Sequence, residues 1–440
     1  MKTVKQRAYA ALVLVFALLL GLGVYVWRFA QHGAEWAGFG GNSVLYSGGR
    51  LTVGTVTDRN GLILADAKDG TRTYAPDPEL RLATLHAVGD ASGNIGTGAL
   101  TAFASELGGY SPVTGVSSGG GTVALSLDAE LCRTAWAALA GRKGAVLLSD
   151  YTTGEILCMV SSPSYDPEAG FDAADPWYEG VFLNRCISAA YTPGSVFKLV
   201  TLAAALENIP ELRERTFSCT GSTIVDGNAV NCTGVHGEQT IEQALANSCN
   251  CAFAALGLEL GGETLARYAD ALGLTRALSV SGIACSAGSF TAYPDGSADL
   301  AWSGIGQSTD LVCPLAMLRL VSAIAGGGAA REPVLLLHER GAKTRLLRAE
   351  TAETLRDMMS YNVVSAYGAW NFPGLSLCAK SGTAETGSGA SHAWFAGFLD
   401  DPEHPYAFTV ILENAGGGLT NAGPVANAVL QAAVNRTDVA

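Results

Sequence analysis

Residues 8–27, AYAALVLVFALLLGLGVYVW, run for 20 positions without a charge. About 20 apolar residues are what a helix needs to cross the roughly 30 Å hydrocarbon core of a bilayer. The segment therefore commits the chain to a membrane or to export. A cleaved signal has a shorter apolar centre and ends at a small-residue site, whereas Trp27 and Arg28 follow here directly. That favours a retained transmembrane anchor over residues 8–28. Lys2, Lys5 and Arg7 precede the run and Arg28 lies just behind it. The excess of positive charge keeps residues 1–7 in the cytoplasm as a short tail, with the remainder extracytoplasmic.

The remaining chain is long enough for a large core and two or so domains. Its formal net charge of −13 argues against nucleic acid as a partner. Ten cysteines in an exported chain raise the question of disulfides. Cys132, Cys158, Cys186, Cys313 and Cys378, however, sit singly in apolar segments, where cysteine behaves as a small hydrophobe. Cys219 and Cys232 flank TIVDGNAV, whose Asp226-Gly227 reads as a hairpin turn. That pair admits a bridge.

Residues 29–121 read as a small ancillary domain, with strands around the Asn60-Gly61 turn of LTVGTVTDRNGLILA and a linker at 116–122, VSSGGGT. From Thr122 the pattern changes. DAELCRTAWAALAG has helical spacing, and GAVLLSD and EILCMVS read as paired strands. LSLCAK, HAWFAGFLD and YAFTVILE supply three more strand candidates near the C-terminus, and GPVANAVLQAAV closes the chain as a helix. About 200 mainly helical residues separate the two strand groups, which predicts an α/β sheet built from distant parts of the sequence.

The chemistry begins at YTPGSVFKLV, residues 191–200, which contains one of only seven lysines in the chain. Pro193-Gly194 precedes a helical pattern, so Ser195 falls near a helix N-terminus, where developing negative charge is favoured. Lys198, three residues on, shares its face. A serine needs a base, and an ammonium is not one. Bringing a lysine from about 10.4 to near 7 requires destabilising its cation by about 4 kcal/mol. Apolar neighbours such as Phe197 and Leu199, with a second cation at Lys380, supply such a shift.

Ser-x-x-Lys alone is weak, because chance produces about one in a chain of this length. Its meaning comes from order. Ser248-Cys249-Asn250 follows, and then Lys380-Ser381-Gly382, whereas Ser92-Gly93-Asn94 shows how cheaply one member arises. The ordered trio resembles the penicillin-recognising serine acyltransferases. GAVLLSDYTTGEILCMVSSPSYDP, NRCISAAYTPGSVFK, HGEQTIEQALANSCNCAF, GIGQ (304–307) and KSGTAETGSGASHAWFAGF are similar to class B penicillin-binding protein transpeptidases. The likeness runs from about Thr122 to the C-terminus, which makes 122–440 a transpeptidase domain. DRNG at 58–61 resembles the family's N-terminal signature, with Val53 where an arginine is usual.

The resemblance implies an α/β fold in which an antiparallel sheet is flanked by helices. It implies Ser195 as the acylated nucleophile, Lys198 as its base, Ser248 as proton relay and Asn250 as orienting amide. Lys380, Ser381, Gly382 and Thr383 would form the strand that receives a D-Ala-D-Ala carboxylate. The backbone N–H groups of Ser195 and Thr383 would form the oxyanion hole. Implied partners are peptidoglycan stem peptides, β-lactams and a separate glycosyltransferase of the membrane; no cofactor is implied.

Other residues carry plainer readings. His236 reads as a structural residue, and six histidines without His-x-x-x-His spacing predict no metal. Cys249 and Cys251 read as packing residues, and Gly387 to Gly389 as a loop at the rim. The competing enzyme is a β-lactamase, which needs a deacylating carboxylate; Glu259, Glu263, Glu332, Glu339, Glu350 and Glu353 stand in no Glu-x-x-x-Asn loop. A β-lactam sensor or an idle scaffold is the reading from another class, and the three intact motifs argue against it.

Overall fold

A computed structural model describes residues 2–436 except 40, 44, 49, 69, 117, 118 and 388, with Lys68 described by its backbone alone. Helix α1, Lys2–Ala37, has 36 residues, or about 54 Å at 1.5 Å per residue. It is long and apolar enough to cross a membrane, and its apolar window is exposed throughout. Its last turns leave the apolar run and dock on the domain beyond. Gly33 is buried there, and any side chain at that position would overlap the Tyr110 hydroxyl.

The ancillary part is a four-stranded sheet. Strands β1 (Thr55–Thr57), β2 (Ile63–Lys68) and β3 (Thr71–Tyr74) form a meander, followed by helix α2 (Pro78–Val88). Asp58 closes the expected Asn60-Gly61 turn, its carboxylate accepting from the N–H groups of Asn60 and Leu62 at 2.9 and 2.8 Å. Gly61 takes φ +81°, which glycine adopts without steric cost. The fourth strand is β4, Thr122–Ala124, which pairs in parallel with β1. Residues 122–124, read from the sequence as the start of the transpeptidase domain, thus complete the ancillary sheet. Of the linker reading at 116–122, Ser117 and Ser118 lie outside the described residues.

The larger part is an antiparallel sheet between helices. Helix α3 (Ala129–Leu139) starts at Asp128, whose carboxylate accepts from the Glu130 and Leu131 N–H groups, the expected use of aspartate at a helix start. Strands β5 (Gly144–Asp150) and β6 (Ile156–Ser162) follow, then helix α4 (Lys198–Asn208). Next come two nested strand pairs. Strand β7 (Thr216–Cys219) pairs with β10 (Gly237–Thr240), and between them β8 (Ser222–Val225) pairs with β9 (Asn228–Asn231). Asp226 and Gly227 form the expected two-residue turn, both at positive φ (+48° and +72°).

Helices α5 (Ile241–Ala246), α6 (Asn250–Leu260), α7 (Pro314–Ala325) and α8 (Ala349–Asn362) precede the last strands, β11 (Leu377–Ala384), β12 (His392–Leu399) and β13 (Tyr406–Leu412); α9 (Gly423–Val434) ends the described chain. The sheet order β11-β12-β13-β5-β6 joins the two distant strand groups where β13 meets β5, with Phe408 opposite Leu148. Helices α3 and α9 pack on one side of this sheet and α7 on the other. Strands β6 and β13 are therefore buried along their whole length, which explains why they read as continuous apolar runs rather than alternating ones.

Candidate active site

Three stretches distant in sequence meet at the exposed edge of the sheet. The first is the Ser195 turn. Residues Gly194–Phe197 form one tight 3-10 turn that feeds directly into α4, so Lys198 is the first residue of the α-helix. Gly194 sits at φ +56° against β11, and a side chain there would crowd the Thr383 carbonyl. Its N–H donates to the Gly306 carbonyl at 2.8 Å. Gly306, from the GIGQ segment, is at φ +85°, and a Cβ on it would overlap the Gly194 carbonyl. The Trp394 indole N–H donates to the Thr192 carbonyl at 3.0 Å and holds the entry to the turn.

The second stretch is Ser248-Cys249-Asn250, between α5 and α6. Ser248 adopts φ +51°, a conformation rare for a residue with a side chain and one that clusters at functional sites. Its carbonyl and hydroxyl, together with the Asn250 side-chain carbonyl, converge on Lys198. The Lys198 Nζ donates to Ser248 O at 2.6 Å, to Asn250 Oδ1 at 2.7 Å and to Ser248 Oγ at 3.2 Å. The Asn250 amide nitrogen donates to the Asn231 carbonyl at 2.8 Å, which fixes which end of that side chain faces the lysine.

The third stretch is β11. Lys380 lies fully buried beneath the strand, donating to Ser248 Oγ at 3.1 Å and to the Ser381 carbonyl at 2.9 Å. Gly382 packs against Pro193 and Val196 of the Ser195 turn, and a side chain would push turn and strand apart. The Ser381 N–H points away from β12, donating to the Tyr367 hydroxyl at 2.9 Å. Residues two apart on a strand present their N–H to the same edge, so the Thr383 N–H faces the Ser195 turn.

The electrostatics follow from burial. Lys198 and Lys380 are both fully buried. Desolvation brings the Lys198 ammonium down to about 7. Desolvation, and then repulsion from Lys198, bring Lys380 well below its ordinary value. The apolar wall against Lys198 includes Phe253, whose ring centroid lies 5.5 Å from Nζ. Three acceptors around Nζ satisfy an ammonium completely, while burial disfavours the charge. The two effects leave this lysine near balance at neutral pH, as a base must be.

Ser195, Ser248, Asn250, Ser381 and Thr383 line one cleft of about 560 Å³, with Gln307 at its wall donating to the Thr383 carbonyl at 3.3 Å. Every polar residue expected from the three motifs is therefore in or directly beneath one site. Ser92-Gly93-Asn94 is elsewhere, in a loop after α2 where Asp90 accepts from Asn94 and Ile95. Tyr367 had no sequence signal. Its hydroxyl accepts from both the N–H and the hydroxyl of Ser381 (2.9 and 3.2 Å), and the residue is buried.

Four of the six carboxylates considered for deacylation are committed elsewhere. Glu259 pairs with Arg215, Glu332 with Arg319 and Glu353 with Arg356, and Glu339 accepts from Ser281. Among the described residues, the carboxylate that lines the cleft is Glu385, which follows β11 and is exposed. In the glycine stretch beyond it, Gly387 and Gly389 are exposed and Ser388 lies outside the described residues.

Behind the second stretch, Cys219, Cys232, His236 and Cys249 turn their ligand atoms to within 4.8 Å of one another. All ten cysteines are free, so the bridge considered between Cys219 and Cys232 is not formed. The packing reading of Cys249 and the structural reading of His236 did not anticipate this convergence. The sequence cue was slight: Cys232 and His236 four apart, and a cysteine at the centre of the Ser-x-Asn motif.

A family profile described as "Penicillin binding protein transpeptidase domain" matches residues 144–431. The chain belongs to the class B penicillin-binding proteins. Among curated relatives, the peptidoglycan D,D-transpeptidase PbpA of Mycolicibacterium smegmatis is 30% identical over 367 residues, 73% of this chain and 74% of that protein. The stage V sporulation protein D of Bacillus subtilis is 29% identical over 62% of this chain and 45% of its own. The penicillin G acyl-enzyme of penicillin-binding protein A from M. tuberculosis superposes with a TM-score of 0.75 at 27% identity, covering 87% of this chain and 100% of that one. The antiparallel sheet flanked by helices, expected from the motifs, is the fold these relatives share.

Proposed function

We propose that this penicillin-binding protein is a membrane-anchored peptidoglycan D,D-transpeptidase that cross-links stem peptides through an acyl-enzyme on Ser195. The observation that carries the reading is the single hydrogen-bonded group formed by Lys198, Ser248, Asn250 and Lys380 beside the Ser195 turn. Lys198, as neutral amine, takes the Ser195 hydroxyl proton while Oγ attacks the peptide carbonyl. The Ser195 and Thr383 N–H groups receive the oxyanion, where fixed donors are worth most. Lys380 with the Ser381 and Thr383 hydroxyls holds the terminal carboxylate, and Gly382 lets strand and turn approach. Ser248, touching both ammonium groups, passes a proton to the departing D-alanine amine. An amine from a second stem peptide then resolves the ester. Residues 1–7 face the cytoplasm and the transpeptidase part lies outside, served by glycan strands from a separate membrane glycosyltransferase.

A β-lactamase shares the acylation and differs in hydrolysing the ester quickly. The commitment of Glu259, Glu332, Glu339 and Glu353 to other partners favours slow deacylation. The test is intact-mass measurement after exposure to penicillin. A stoichiometric penicilloyl adduct that persists for many minutes and is absent from Ser195→Ala supports the transpeptidase, as does D-alanine release from stem peptides in the presence of an acceptor amine. Adduct formation on Ser195→Ala, or sustained rapid hydrolysis of excess penicillin, overturns it.

A further inference from the structure

Cys219 ends β7, Cys232 follows β9, His236 precedes β10, and Cys249 stands immediately before α6, so two strand pairs and a helix start bring four soft donors to one point. The Cys232 and Cys249 sulfurs are 3.7 Å apart, and Cys232 Sγ lies 3.5 Å from His236 Nδ1. A disulfide needs sulfurs at about 2.05 Å. Four ligands at tetrahedral angles about 2.3 Å (sulfur) and 2.0 Å (nitrogen) from a zinc ion stand roughly 3.5–3.8 Å from one another. These two spacings fit the metal and not the bridge, and the remaining ligand atoms lie within 4.8 Å. Cys219 and Cys249 are buried, and Cys232 and His236 are partly exposed, which leaves a route of entry.

We infer that Cys219, Cys232, His236 and Cys249 bind one zinc ion in a closed Cys3His set, and that the ion positions the Ser-x-Asn motif of the transpeptidase. Thiolates and imidazole are the donors that select zinc among common divalent ions, and four protein ligands leave no open position for catalysis. Binding displaces the three thiol protons to solvent and leaves a centre of net charge −1. Its reach into the active site is direct. Cys249 lies between Ser248 and Asn250, and the Asn250 N–H donates to Cys232 Sγ at 3.1 Å. Such an N–H···S bond supports a metal thiolate from its outer shell. Fixing both sulfurs fixes the backbone that presents Ser248 and Asn250 to Lys198.

The test uses the full chain in detergent with reductant, dialysed against chelator and then given zinc chloride. Expected are one zinc per chain by elemental analysis and an X-ray absorption spectrum with three sulfur and one nitrogen neighbours at about 2.3 and 2.0 Å. Cys232→Ser and His236→Ala should lose the metal, while Cys378→Ser, a buried cysteine on β11, should keep it. Metal-free wild type should acylate with penicillin about tenfold more slowly and recover on zinc addition, in line with the effect of loosened support around a site. Wild type that takes up no zinc while all ten thiols titrate overturns the proposal, as does a mass 2 Da low from a Cys232–Cys249 disulfide. Zinc uptake without any change in acylation rate overturns the positioning role. Because Ser195→Ala should still bind zinc, failure here is separable from failure of the transpeptidase reading.

Discussion

Lys198 and Lys380 reach the same hydroxyl: Ser248 Oγ lies 3.2 Å from one Nζ and 3.1 Å from the other. Two buried cations sharing one acceptor titrate as a pair, and each discourages protonation of its neighbour. Acylation by penicillin should therefore rise with pH through a midpoint near 7, the value to which burial lowers Lys198. Replacing Lys380 with methionine removes the repulsion, so the remaining proton is held more tightly and the midpoint should move upward. Lys198→Ala should lose acylation by about 10²–10⁴-fold, the usual worth of a positioned base. Stopped-flow acylation against pH checks all three; a Lys380→Met profile shifted to lower pH would contradict the coupling.

Tyr367 secures the exposed edge of β11. Tyr367→Phe leaves the Ser381 N–H without its 2.9 Å acceptor in a partly buried place, at a cost of about 1 kcal/mol. Denaturant unfolding should show that loss. The acylation rate should fall as well, because the same strand carries the Thr383 N–H; an unchanged rate would separate Tyr367 from the oxyanion site.

Gly306 and Gly194 form a backbone clasp. Gly306→Ala places a methyl group into the Gly194 carbonyl at a positive φ, a combination that side chains avoid. Since the Gly194 N–H bonds to Gly306, relief of the clash must move the Ser195 turn. The expected outcome is a folded protein, by circular dichroism, whose acylation is slowed at least tenfold. Gly327→Ala, also at positive φ but facing open space, should lose stability without that specific loss of acylation.

The motif residues were legible because their spacing and order survive translation into a line of letters, and burial of the strand pairs showed as apolar runs. Other features were not. β11 extends to Ala384, four residues past the expected LSLCAK strand, because Ser381, Gly382 and Thr383 serve the cleft and not the core. β4 joins β1 in parallel across the whole ancillary part, a pairing that no local pattern announces. Tyr367 meets Ser381 through a turn after α8, and the Cys/His cluster needs two strand pairs to assemble. In each case the deciding contact is long-range, so the residues carried no periodicity of their own.

His86 predicts how the protein responds to acid. It is fully buried in α2, and its Nε2–H donates to the Val181 carbonyl at 2.7 Å. Burial lowers its protonation to about 4 from an ordinary 6.5. Between those values the unfolded chain binds a proton that the folded protein refuses, so stability rises with pH across this window. Above about pH 7 both states hold neutral imidazole and the group is silent. Taking the pH from 7.5 to 5 should therefore cost about 2 kcal/mol through this one residue. Many carboxylates titrate over the same range, so the quantity to measure is a difference. His86→Gln keeps an N–H donor toward Val181 and cannot gain a proton. It should lose less stability than wild type on acidification, by about that 2 kcal/mol, in urea unfolding at the two pH values. Equal losses in the two proteins would mean that water or a shifted loop already accommodates the charged ring, and that α2 is not held on the transpeptidase domain by a neutral histidine.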